Sequence, residues 1–113
     1  MKILTLRICT RDEWNQQILK AFEGKTQPPT ITFESPALLF KVLSGKRWDL
    51  LQIMAGARPM GIREVARQAN RDVKAVHSDI QKLLKAGIID KTQDGKIEFA
   101  FDALHVDFTL KAA

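Results

Sequence analysis

Ala66, Asn70 and Val76 restrict the fold of this chain more than any other set of residues. They sit where two short apolar-periodic segments meet, Ile62 to Ala69 and Asp72 to Ala86, joined by Asn70-Arg71. Two helices linked this tightly need a small residue at their contact, a turn residue that tolerates positive φ, and a branched apolar anchor on the second helix. Ala66, Asn70 and Val76 meet those needs at a spacing of four and then six residues. The pattern predicts a helix-turn-helix. Asp72 is placed to cap the second helix, and Ile62, Val65, Val73, Ile80, Leu83 and Leu84 to fill the space between the helices.

The residues that follow fit the same plan. Gly87 can close the second helix in the left-handed conformation. Residues 88–91 and 96–101 read as two strands around Thr92-Gln93-Asp94-Gly95, where Asp-Gly signals a hairpin. The expected unit is a winged helix-turn-helix over about residues 58 to 102, in an α+β fold with an additional N-terminal strand and helix and a C-terminal strand.

Upstream, Leu4, Leu6 and Ile8 alternate with Thr5 and Arg7, as in a half-buried strand over residues 3–8. Thr10-Arg11-Asp12-Glu13 has capping-box spacing, and a helix is expected from there to Gly24 with Trp14, Ile18, Leu19 and Phe22 on its apolar face. Lys25 to Pro29 form a connector, Thr30 to Glu34 a short strand, and Ser35-Pro36 the start of a helix to Leu43. A further helix, Lys46 to Ala57, sets Trp48, Leu51, Met54 and Ala55 on one face, widened by Leu50 and Ile53, all read as core. Leu104, Val106, Phe108 and Leu110 alternate with His105, Asp107 and Thr109 in a last strand. Residues 1–30 are read as a strand-helix extension for dimerisation or partner binding, and residues 31–113 as the winged helix-turn-helix domain with its C-terminal strand. Apolar strands near both ends need cover, and pairing with another copy, a homodimer, is one solution.

The 113 residues suit one domain with a single core. No apolar run approaches the ~20 residues of a membrane span. The first residues lack a secretory cleavage pattern, and Cys9 is the lone cysteine, so no intrachain disulfide can form and a cytoplasmic location is expected. His77 and His105 have no ligand spacing, so neither metal nor cofactor is expected. No nucleophile motif, phosphate loop or paired-histidine constellation suggests an enzyme. Stacking aromatics of the common RNA modules are missing. The net charge of +5 is concentrated in residues 58–91, where eight basic residues face four acidic ones.

The predicted second helix turns Lys74, Ala75, Ser78, Lys82 and Lys85 away from the core, a face suited to the major groove of double-stranded DNA. Lys74 and Lys82 can reach phosphates or guanine acceptors, Ser78 a base edge, and Ala75 a thymine methyl. His77 lies at the flank, equally suited to packing and to a base contact. Arg63, Arg67 and Arg71 recur every four residues where phosphates would run, unless Arg67 pairs with Glu64 or Asp72. Lys91 and Lys96 in the wing could touch the backbone, although Asp94 at its tip opposes deep insertion. Glu34, Asp49 and Asp79 are read as caps and surface charges.

Phe33-Glu34-Ser35-Pro36, Lys46-Arg47-Trp48-Asp49-Leu50-Leu51, Gly61 to Arg67, Arg71-Asp72-Val73-Lys74-Ala75-Val76-His77-Ser78-Asp79 and Leu84 to Ile89 together resemble a family of small prokaryotic winged-helix transcriptional regulators. That family is similar to the MarR group, and some members are thought to be antitoxins. The resemblance covers about two-thirds of the chain. It implies sequence-specific DNA binding as a dimer, with Arg71, Lys74, His77 and Ser78 near the DNA. Gly61 departs from the usual serine or threonine cap, and Arg71 from the apolar residue of many helix-turn-helix turns. Two other readings stand beside this one. Winged helices also serve as protein-docking modules, and an antitoxin could bind a toxin protein through residues 2–24 or the last strand while repressing a shared promoter.

Overall fold

The computed structural model describes residues 1–9 and 29–110. The helix expected from Thr10 to Gly24 lies outside the described residues. In chain order the elements are β1 (Ile3–Ile8), β2 (Thr30–Phe33), α1 (Pro36–Val42), α2 (Gly45–Met54), α3 (Ile62–Ala69), α4 (Val73–Lys85), β3 (Asp90–Lys91), β4 (Ile97–Glu98) and β5 (Ala103–Asp107). The result is an α+β domain in which four helices, among the described residues, pack on a small sheet. None of these helices is long and apolar enough to cross a membrane.

The sheet runs β2-β1-β5, with both neighbours parallel to β1. Leu4 pairs with Leu104, and Leu6 with both Val106 and Ile31, so one face of the sheet is an apolar plate. Leu4 and Leu6 are buried in the same core as Leu39, Leu50, Val65, Ile80 and Leu83. The strands near the two ends of the chain thus lie side by side within one molecule, so β1 needs no second copy to supply a neighbour. Because Leu6 is wholly buried beneath the helices, Leu6→Ala is expected to destabilise the domain by about 3 kcal/mol in urea unfolding. A loss below about 1 kcal/mol would mean that β1 is not part of the cooperative unit.

Local chemistry sets most boundaries. Ser35 caps α1 by accepting from the Leu38 amide at 3.3 Å, with Pro36 at the first helical position. Ser44 caps α2 through the Arg47 amide at 3.3 Å. The hairpin β3–β4 is shorter than the sequence suggests, because Ile88 and Ile89 turn into the core before pairing begins. Gly95, at φ +82°, completes its turn. Met60 and Ile97 exchange main-chain hydrogen bonds of 2.9 and 2.8 Å, which tie the hairpin to the start of α3.

Two expectations about the core are corrected. The buried stripe of α2 is Arg47, Leu50, Leu51 and Met54, whereas Trp48 is 39% exposed and Ala55 is exposed. The stripe is rotated by one position because Arg47 is neutralised inside the protein, which a reading by hydropathy excludes. Val73 is also exposed, at 41%. As the first residue of α4 its side chain leans toward the helix N-terminus and past the packed layer.

Candidate nucleic-acid interface

The turn between α3 and α4 forms as its residues require. Asn70 takes φ 54° and ψ 48°, its amide bonding the Arg67 carbonyl at 3.1 Å, and the Arg71 amide bonds Ala66 at 3.0 Å. A side chain in this left-handed well is tolerated best for asparagine after glycine. Ala66 and Val76 are both buried between the helices. Asp72 caps α4 by accepting from the Lys74 and Ala75 amides at 3.1 and 3.3 Å. Asp72→Ala is expected to cost about 1 kcal/mol in thermal unfolding, with no cost if the cap is redundant.

A second constraint fixes α4 from its flank. Asp79 accepts from Arg47 Nε at 3.1 Å and from Arg71 Nη2 at 2.8 Å, and all three side chains are largely withdrawn from solvent. Arg47 also donates to the carbonyls of Lys41 and Val42 at the end of α1. One carboxylate therefore joins the α1–α2 link, the α3–α4 turn and α4. Burial raises the Asp79 pKa, but the hydrogen bonds from Arg71 and Arg47 outweigh it and hold the carboxyl below its usual range. Asp79, read from sequence as a surface charge, is instead an internal anchor.

With Val76, Ile80 and Leu83 buried, α4 turns its other side outward. Lys74, Ala75, His77, Ser78 and Lys82 are all exposed there. Gln81 and Lys85 are exposed with them. At ~100° per residue, Lys74, Ser78, Gln81, Lys82 and Lys85 form one stripe, with Ala75 and His77 at opposite margins. Gln81 was missed by the sequence reading, although the periodicity that selected Lys74 and Ser78 includes it. The carboxylates at the cap of α4 and within it, Asp72 and Asp79, are both committed, one to the helix amides and one to arginines. The stripe is therefore a cationic surface without a competing acid.

The arginines separate. Arg63 is exposed on α3 and forms no ion pair with a described residue. Arg67 is exposed but bonded to Glu64 one turn earlier. Gln68 also donates to Glu64, and the Gln68 and Arg67 bonds lower the Glu64 pKa. Arg71 points inward to Asp79 and does not join the exposed set. Lys96 stands on the hairpin 3.9 Å from Asp94, whose pKa is lowered by the Thr92 hydroxyl and, more weakly, by Lys96. The hairpin tip is close to neutral, while α4 is not.

A family model, HVO_A0114, matches residues 42–106, which is more than half of the chain. The match begins at the end of α1 and runs through α3, α4 and the hairpin into β5. No curated protein matches the chain.

Proposed function

The chain belongs to the HVO_A0114 family, and we propose that it is a winged helix-turn-helix regulator of transcription that binds double-stranded DNA sequence-specifically as a homodimer. In this reading α4 lies in the major groove, α3 lies across the backbone and β3–β4 is the wing. The observation that carries it is the acid-free stripe of α4. Lys74, Lys82 and Lys85 are exposed and unpaired among the described residues, and Ser78 and Gln81 stand between them. Lysines bring phosphate affinity, whereas a glutamine amide can bond adenine at two points and a serine can donate to or accept from a base edge. The stripe therefore combines the two kinds of contact that sequence-specific binding needs. Arg63 would add a phosphate contact from α3, and the neutral wing would add little. No catalytic step is assigned to the protein.

Selection of the purified chain on random duplex DNA at near-physiological salt tests this reading. Enrichment of an inverted repeat is the expected result, with half-sites about one helical turn apart. Retention without a motif would reduce the surface to a nonspecific basic patch, and no retention would overturn the reading.

A further inference from the structure

The sheet order leaves the outer edge of β5 unpaired among the described residues. Apolar ground lies beside that edge. Leu104 borders a hollow shared with Trp48, Leu51, Ala55 and Phe99, and Val106 borders another shared with Phe40, Leu43 and Trp48. Phe40 is 55% exposed and Phe108 38%, and their rings meet edge to face at 5.7 Å. A free strand edge flanked by exposed aromatics is a surface that soluble proteins usually cover.

We infer that a second copy of this chain covers it, with the two β5 strands pairing antiparallel about a two-fold axis at Val106. The hydrogen-bonding phase permits this. The Ala103 amide donates to the Lys2 carbonyl at 3.2 Å, so the odd-numbered residues of β5 direct their main-chain groups to β1, and Leu104 and Val106 direct theirs outward. Centred on Val106, the register sets Val106 against the partner's Val106 and Leu104 against the partner's Phe108 as hydrogen-bonded pairs. His105 then faces the partner's Asp107 in the non-hydrogen-bonded position, where side chains approach most closely. Both residues are exposed in the single chain. A centre at Asp107 would oppose a carboxylate to itself, and one at His105 an imidazole to itself. A centre at Leu104 would set His105 against Ala103, so the donor–acceptor match of the His105 ring N–H with the Asp107 carboxylate selects Val106, and the self-matching sequence selects another copy over an unrelated strand. Asp107 also lies 4.0 Å from Arg7 through Oδ2, an exposed contact that leaves Oδ1 open to a second donor.

This interface rests on the two-copy reading above and is tested without DNA. Sedimentation equilibrium of the full chain at neutral pH should show a dimer. His105→Asp should weaken dimerisation roughly tenfold, and His105→Lys should strengthen it by a similar factor, because symmetry counts each change twice. Repulsion between chains of net charge +5 predicts the opposite order, since lysine adds to that charge and aspartate lowers it. A wild-type chain that stays monomeric throughout the micromolar range, a dimer indifferent to both variants, or the reverse order would overturn the inference. Any of these would leave the DNA selection free to succeed or fail separately.

Discussion

Asp79→Ala is expected to lower the unfolding free energy by about 3 kcal/mol, because it strands two arginines that the fold has withdrawn from water. The Arg47 side chain is only 9% exposed and Asp79 13%, so water compensates only in part for the lost carboxylate. Arg71 is less deeply placed, at 21%, but one of its guanidinium nitrogens is already buried without a hydrogen-bond partner among the described residues. For a domain of this size the loss corresponds to a fall of roughly 10–20 °C in Tm. The exposed Arg67–Glu64 pair makes a useful control, since solvent screening means its removal should leave stability nearly unchanged. Acid titration provides a second readout. Folding lowers the Asp79 pKa, so its contribution is present above the unfolded-state pKa and is lost as pH falls through the folded value. The stability difference between wild type and Asp79→Asn should therefore be largest near neutrality and shrink from about pH 4 downward. A difference that stays constant into acid would show that Asp79 makes no ionic contribution.

Replacing Lys74, Lys82 and Lys85 together with alanine is expected to weaken DNA binding on the order of a hundredfold at physiological salt. The slope of log affinity against log salt should become shallower by about 2 to 3. Each lysine that sits on a phosphate releases close to one counterion, so affinity and slope must change together. Helix stability should hardly move, since alanine is a good helix former and none of the three lysines pairs with a described residue. Ser78→Ala and Gln81→Ala should instead alter base preference while leaving the slope unchanged. Unchanged affinity and slope in the triple variant would remove α4 as the DNA-facing element.

The helices and the turn were legible because their signals are local. Ser35 and Asp72 cap within three residues of their own positions, and Asn70 and Gly95 advertise backbone conformations that few residues adopt. The lysine stripe was legible for a related reason, since helical periodicity alone places Lys74, Ser78 and Lys82 opposite Val76, Ile80 and Leu83. The Arg47–Asp79–Arg71 anchor was not. It joins residues 32 positions apart, and each of its members looks like an ordinary surface charge until the fold brings them together. The same blindness misassigned Trp48, because recognising that Arg47 could take a buried position required knowing where its carboxylate partner lay. It also made Arg71 a candidate phosphate contact, when its Nη2 is already bonded to Asp79 and its side chain turned inward.

The parallel pairing of β1 with β5 bears on how the chain acquires its fold. Strand residues near position 3 find their partners about a hundred positions later, whereas α3, its turn and α4 meet within some two dozen residues. Loop-closure entropy makes the short-range unit the early one and the sheet the late one. During synthesis β1 emerges well before β5 and must wait for it before the sheet can be completed, and its apolar row of Leu4 and Leu6 lacks that neighbour for the interval. Slow refolding that tracks sheet formation, and aggregation before it is complete, would both originate at this long-range closure, while the α3–α4 pair had already formed.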